Sequence, residues 1–300
     1  ALPIYSYGYR PGKSALDAVG MTRKRCWQSD WVLDLDIKGF FDNIDHSRMI
    51  RMLEERINDK AFLRLIKKWL KAGILDISGE VIHPATGTPQ GGIVSPILAN
   101  VYLHYALDLW FEKRIKRECN GEALITRYTN DFVCAFQYQQ DAELFYQQLS
   151  ERLGKFGLEV CPEKTRMLPF SRNMLKRSET FDFLGFEFRR ALSRKFKPII
   201  RRRTSRKKLK ASIAAFTEWI KTKRNKKISK LMKTLRAKYR GYWNYYGVIG
   251  NYGSLKTFYY QTRRILFKWL NRRSQRLSYN WAGFKDLLNQ FLIPAPKITE

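Results

Sequence analysis

The chain has 300 residues, 44% hydrophobic and 14% aromatic, enough to bury a substantial core in one large folded domain or two smaller ones, which excludes a wholly disordered chain. Lys and Arg total 57 against 27 Asp and Glu, giving a formal charge of +30 and a pI near 10.1, so nucleic acid is the expected partner. There is no run of about 18 apolar residues and no signal-like stretch before Ser14, so no membrane role is expected.

In chain order, helical periodicity covers Ser14 to Cys26, and an apolar strand covers Trp31 to Ile37. A second helix is predicted over His46 to Ala72, with Met49, Ile50, Leu53 and Ile57 on one face. The Gly- and Pro-rich "GTPQGG" is read as a loop leading into a helix over Ser95 to Lys116, with Ser95 as its N-cap and Pro96 in its first turn. Two strand-like runs flank Asn130 as a hairpin, Gln140 to Phe156 reads as a helix, and "FDFLGFEFR" (181–189) alternates as a strand. From about Thr204 three segments carry apolar residues at three-and-four spacing, which predicts a helical region. Strands interspersed with helices, without strict βαβ repetition, indicate an α+β domain. Between Arg189 and Arg240 there are 22 Lys or Arg and a single acid, Glu218, so a basic helical domain is expected to follow, with the boundary placed at 1–198 and 199–300.

The chemistry-bearing candidates fall in three stretches. In "LDLDIKGFFDNID" (33–45), Asp36 ends an apolar strand, where a carboxylate must be solvated at a cleft or neutralised by a metal or a base; Asp34 shares its face. Asp42 and Asp45 read more simply as caps or solvent-facing acids. In "GTPQGGIVSPILANVYLH" (87–104), Gln90 stands between Pro89 and two glycines, a placement suited to presenting an amide to a base or to backbone. In "RYTNDFV" (127–133), Asn130-Asp131 taken alone is a plain turn. The four cysteines form no C-x-x-C pair and suit reduced thiols in a cytosolic protein, and with three histidines a structural zinc site is not expected.

Taken together, "DIKGFFDNIDH", "GTPQGGIVSPILANVYLH" and "RYTNDFV" follow the order and approximate spacing of reverse transcriptase palm motifs. They most closely resemble the group II intron-encoded reverse transcriptases, the maturases. "GLEVCPEKTRMLPF" (157–170), with Lys164, resembles the family's next palm segment, and "FDFLGFEF" (181–188) resembles its primer-supporting hairpin. "LRAKYRGYWNYYGVIGNYGSL" and "KWLNRRS" resemble the helical thumb, or maturase domain X, and "YSYGYRPGKSALDAV" (5–19) resembles a segment between fingers and palm.

The resemblance implies a right-hand polymerase palm followed by an all-α basic thumb, with two Mg2+ ions activating the primer hydroxyl and stabilising the leaving pyrophosphate. Carried over by motif, Asp36, the Ile37 carbonyl and Asp131 would hold metal. Phe41 would lie under the incoming sugar, Gln90 and Gly91 near the templating pair, Tyr128 at the primer end and Lys164 near the leaving phosphates. The family pattern at 128–131 is Tyr, a small residue, Asp, Asp; this chain has Asn130 where the first acid is expected, so impaired polymerase activity is implied. The family's basic fingers precede the segment matched by Tyr5 to Val19, and this chain begins almost at that segment, which points the same way. No endonuclease domain is expected after Glu300.

Two functions follow. One is an intron-associated reverse transcriptase acting on group II intron RNA, and on target DNA and dNTPs if active, in splicing and retrohoming. The other is a catalytically inactive RNA-binding splicing cofactor. Either would work in the bacterial cytosol or an organelle matrix. Arg201, Arg202, Arg203, Arg206, Lys207, Lys208 and Arg240 are the expected RNA-binding cations. Tyr239, Tyr242, Trp243, Tyr245 and Tyr246 read first as helix–helix core, with stacking on unpaired bases as the functional alternative.

Overall fold

The computed structural model of the chain describes residues 5–72, 74–75, 81–82, 86–88, 92, 94–171, 179–193, 195–273, 275 and 278–300. It divides into two units: Ala1–Leu184 with Leu192–Ile199, and Gly185–Ala191 with Ile200–Glu300.

The first unit opens with α1 (Ala15–Gln28), started by a capping box in which Ser14 Oγ accepts from Asp17 N and Asp17 Oδ2 accepts from Ser14 N. β1 (Trp31–Leu35) and β2 (Ile37–Lys38) follow, with Asp36 between them. The helix expected over 46–72 is two helices, α2 (His46–Glu54) and α3 (Lys60–Lys71). The division has a local cause: Asp59 caps α3 by accepting from Ala61 N and Phe62 N, a start signal inside a stretch whose apolar periodicity reads as continuous. Asp45 caps α2 by accepting from Arg48 N at 2.7 Å, as its position suggested.

β3 (Ile74–Leu75) pairs with β4 (Val81–Ile82). α4 (Ser95–Leu103) has Val94, not Ser95, at its N-cap, and Ser95 is the first helical residue. The helix continues through two π-helical turns, His104–Asp108 and Phe111–Ile115, into α5 (Lys116–Glu118). β5 (Ala123–Tyr128) and β6 (Asp131–Phe136) form the hairpin around Asn130. Then come α6 (Gln139–Gly154), β7 (Glu159–Val160), a 3-10 turn Pro162–Lys164, β8 (Arg166–Pro169) and β9 (Phe181–Phe183).

Among the described residues the main sheet has the order β5-β6-β1-β8, with antiparallel pairing throughout. Phe132, Phe136, Phe145, Leu149 and Leu33 are buried in the core that this sheet shares with the helices, and α6 packs against β1 and β6. β1 is one of the two central strands, paired with β8 as far as Asp34 and with β6 as far as Leu35. Asp36 follows its C-terminal end.

β10 (Phe186–Leu192) pairs with β11 (Pro198–Thr204), and the second unit continues with α7 (Arg206–Lys223), α8 (Ile228–Tyr246), α9 (Tyr252–Leu270) and α10 (Trp281–Gln290). Its core joins Phe216, Leu235, Tyr239, Trp243, Phe258 and Leu266. The aromatic stripe on α8 is therefore packing: Tyr239 stacks on Trp243 at 5.4 Å and Tyr242 on Phe258 at 3.8 Å.

Candidate active site

The site is built where β1 ends beside the β5–β6 turn. Leu35 pairs with Phe132, and Tyr128 with Asp131, so the residue after Leu35 and the residues before Phe132 meet at one end of the sheet. Asp36, Asn130 and Asp131 are thus brought together, although Asp36 and Asn130 are 94 residues apart in the chain. Asn130 Nδ2 lies 3.5 Å from Asp36 Oδ1, and Lys164 Nζ lies 2.6 Å from Asp36 Oδ2. The ammonium is shifted upward from its ordinary pKa, first by its hydrogen bond to Asp36 and then by the charges of Asp36 and Asp131. Asp36 O accepts from Cys161 N at 2.9 Å, which ties the backbone just ahead of Lys164 to the same residue.

Behind this group, Asp34 pairs with Arg166 at 3.6 Å. Burial pushes the Asp34 carboxyl up to about 7; Arg166 opposes that shift, and Asp182 and Asp131 add to it. Phe41 is half-buried against the core, and Phe41 O accepts from Thr88 N at 2.8 Å. Gly87 N donates to Ile44 O, and a Cβ on Gly87 would stand 2.8 Å from Asp42 O, so only glycine lets this loop close on the turn after β2. Gln90 and Gly91 lie outside the described residues. Ile37 is buried in β2 opposite Val160, and Tyr128 is half-buried at the hairpin end.

The model of the family described as reverse transcriptase (RNA-dependent DNA polymerase) matches residues 2–188. The chain belongs to that family. Its resemblance to the group II intron-encoded reverse transcriptases and maturases also holds. It is 43% identical over 99 residues to the group II intron-encoded protein LtrA of Lactococcus lactis subsp. cremoris, covering 33% of this chain and 16% of that protein. It is 36% identical over 126 residues to the putative COX1/OXI3 intron 2 protein of Saccharomyces cerevisiae, covering 42% of this chain and 15% of the other. The matched part is about 15% of the length of such relatives. In fold it is similar to apo telomerase from Candida tropicalis, with a TM-score of 0.51 at 13% identity, over 96% of this chain and 50% of that one.

A reverse transcriptase implies a divalent-metal requirement, and the donor set here does not fit a two-metal centre. Two carboxylates and one amide stand where the family pattern has three acids. One oxygen of Asp36 faces an ammonium and the other an amide nitrogen. Among the described residues no group of three or more metal-ligating side chains converges. The Asn130 amide supplies no charge beside Asp36 and Asp131, which weakens any metal site at these positions.

The reverse transcriptase family's hairpin is held here by a network that sequence reasoning missed. Arg127 is fully buried; its Nε and Nη2 donate to Asp108 Oδ1 and Oδ2 at 2.9 and 2.6 Å, and its Nη1 donates to Asn100 Oδ1 and Thr129 O at 2.9 and 3.0 Å. Asn100 Nδ2 donates to Gly8 O at 2.7 Å, and a Cβ on Gly8 would stand 2.7 Å from Thr129 N. Thr129 has a φ of 58°, a left-handed angle that is rare for a β-branched residue, in the turn that presents Asn130. The signal was present: one Arg in an apolar strand and one Asp in an apolar helix need each other once both are buried.

In the second unit the expected RNA-binding cations separate by strand parity. Arg202 is buried between Ile200 and Thr204 on the inward face of β11, and its Nη2 donates to both carboxylate oxygens of Glu300, so it is corrected from a nucleic-acid ligand to a structural cation. Arg203 pairs with Glu187, and Arg201 is half-buried. Arg206, Lys207, Lys208 and Arg240 lie on helices α7 and α8; Arg206, Lys207 and Arg240 are exposed, and so is Lys208.

Proposed function

We propose that the chain is the nucleic-acid-handling part of a group II intron-encoded reverse transcriptase that binds intron RNA and assists splicing and retrohoming, with polymerase activity impaired. Residues 1–198 would act as palm with partial fingers, and residues 199–300 as the basic thumb or maturase domain X. Phe41, Tyr128 and the loop bearing Gln90 and Gly91 would contact nucleotide and primer-template. Target DNA and dNTPs would be partners of whatever activity remains. Such a protein would work in the bacterial cytosol or an organelle matrix, and no helix among the described residues is long and apolar enough to cross a membrane.

The observation that carries the RNA-binding half is the first turn of α7. Arg206, Lys207 and Lys208 crowd the end of a helix where the dipole disfavours cations, and no acid stands in that turn. This costs helix stability, so a polyanion outside the chain is the better reason for it. The observation that carries the impaired half is the Asn130 amide turned to Asp36. Primer extension with Mg2+ and dNTPs on an RNA template, by this chain and by Asn130→Asp, tests both halves beside an RNA-binding titration. Weak or no extension with salt-sensitive RNA binding supports the reading, and vigorous extension by the unaltered chain refutes the impairment. The inactive splicing cofactor is the second reading, favoured by the Lys164–Asp36 pair; RNA binding without extension even by Asn130→Asp would select it.

A further inference from the structure

Lys164, which the family resemblance would put near the leaving phosphates, is held against Asp36 in this chain. Its Nζ is 2.6 Å from Asp36 Oδ2, and the charge of Asp131 adds a smaller part to the upward shift of its pKa. The side chain is 68% exposed, so nothing covers the pair; the backbone holds it. Lys164 ends the 3-10 turn that begins at Pro162, and Thr165 fastens that turn by donating from N and Oγ1 to Cys161 O. Cys161 N in turn donates to Asp36 O. The acid and the cation are therefore joined twice, once through the main chain and once through the side chains, 128 residues apart in sequence.

We infer that Lys164 is the resident cation of this pocket: with the Asn130 amide it engages the two oxygens of Asp36 that an intact site of the family would offer to a divalent ion. The inference rests on the reading of Asp36, Asn130 and Asp131 as the family's metal-binding positions. The charges run in its favour. Asp36 and Asp131 contribute two negative charges and Lys164 one positive, leaving one net negative charge to attract an ion. Asn130→Asp raises that to two, and Asn130→Asp with Lys164→Met to three. Affinity of oxygen sites for divalent cations follows the number of carboxylates that face the ion. An amide left in place of a carboxylate and an ammonium left in place of the metal therefore weaken binding independently.

Mn2+ is the probe, titrated into the full chain and followed by the free-ion electron paramagnetic resonance signal. The unaltered chain and Lys164→Met are expected to show no saturable site up to roughly millimolar Mn2+, where weak carboxylate sites fill. The double variant Asn130→Asp/Lys164→Met is expected to bind at least about tenfold more tightly than Asn130→Asp alone. Adding Asp36→Asn to the double variant should abolish the site. Asn130→Asp/Lys164→Arg keeps the positive charge and should match Asn130→Asp, which separates charge from packing. Binding by the unaltered chain as tight as by the double variant, and abolished by Asp36→Asn, overturns the inference. So does a double variant no better than Asn130→Asp. RNA binding by the unaltered chain is measured in parallel: its absence would bring down the proposed function while leaving the ranking of Mn2+ affinities intact.

Discussion

Arg127→Met is the perturbation that probes the hairpin most directly. Arg127 and Asp108 are 0% and 1% exposed, so the variant leaves a carboxylate in the interior with Asn100 Oδ1 and Thr129 O also short of a donor. Removing one partner of a buried ion pair costs about 3–5 kcal/mol, because the remaining charge keeps its desolvation penalty and loses its compensation. Replacing both partners with Arg127→Met/Asp108→Leu removes that orphaned charge, so the double variant should be more stable than Arg127→Met alone. Hydrogen exchange of the amides in 123–136 is the assay, since it reads the opening of β5 and β6 without requiring both units to unfold together. In the regime where opening limits protection, a loss of about 3–5 kcal/mol speeds exchange by about 10²- to 10⁴-fold, with partial recovery in the double variant. Exchange in Arg127→Met within about threefold of the parent, or a double variant worse than the sum of the singles, would refute the account of Arg127 as the support of this turn.

Three further outcomes are expected. Gly8→Ala places a Cβ 2.7 Å from Thr129 N, a backbone atom that cannot swing away, and should cost about 1–3 kcal/mol in a thermal or urea melt; an unchanged melt would mean that the approach of Gly8 to the turn is slack. Combined Arg206→Gln, Lys207→Gln and Lys208→Gln should flatten the dependence of log RNA affinity on log salt by about 0.7–0.9 for each phosphate no longer neutralised, whereas Arg202→Gln should lower the melting temperature and leave that slope unchanged; the reverse pattern would contradict the assignment of Arg202 to Glu300. Asp34 titrates near 7 in the folded chain and near 3.8 unfolded, so its anion is a penalty fully present above pH 7 and absent below about pH 4. Asp34→Asn should therefore melt higher than the parent at about pH 8 and converge with it at about pH 4, and a gap that does not change with pH would count against the buried-carboxyl reading.

Local pattern was enough for much of this protein. The segregation of cations into 189–240, the apolar strand before Asp36, the hairpin at Asn130 and the three basic helices after Thr204 are all visible as composition or periodicity, because each depends on residues within a few positions of one another. The motif order in the first 188 residues was likewise sufficient to place the chain among reverse transcriptases, a placement that the family match over 2–188 supports. Where two local signals competed, the reading failed: the periodicity of 46–72 hid the Asp59 cap, and Ser95 was read as a cap where Val94 takes that place.

What only tertiary structure decided is which distant groups face each other. No periodicity pairs Arg127 with Asp108, turns Arg202 inward to Glu300, or sets Lys164 on Asp36 across 128 residues. Strand register and burial make those choices: a shift of one residue along β1 or β11 would present the opposite face, and a charged group enclosed by the fold must be met by whatever partner the closing loops deliver. The sequence by itself named Asp36, Asn130 and Asp131 as a set; the folded chain determined that the cation beside them is a lysine.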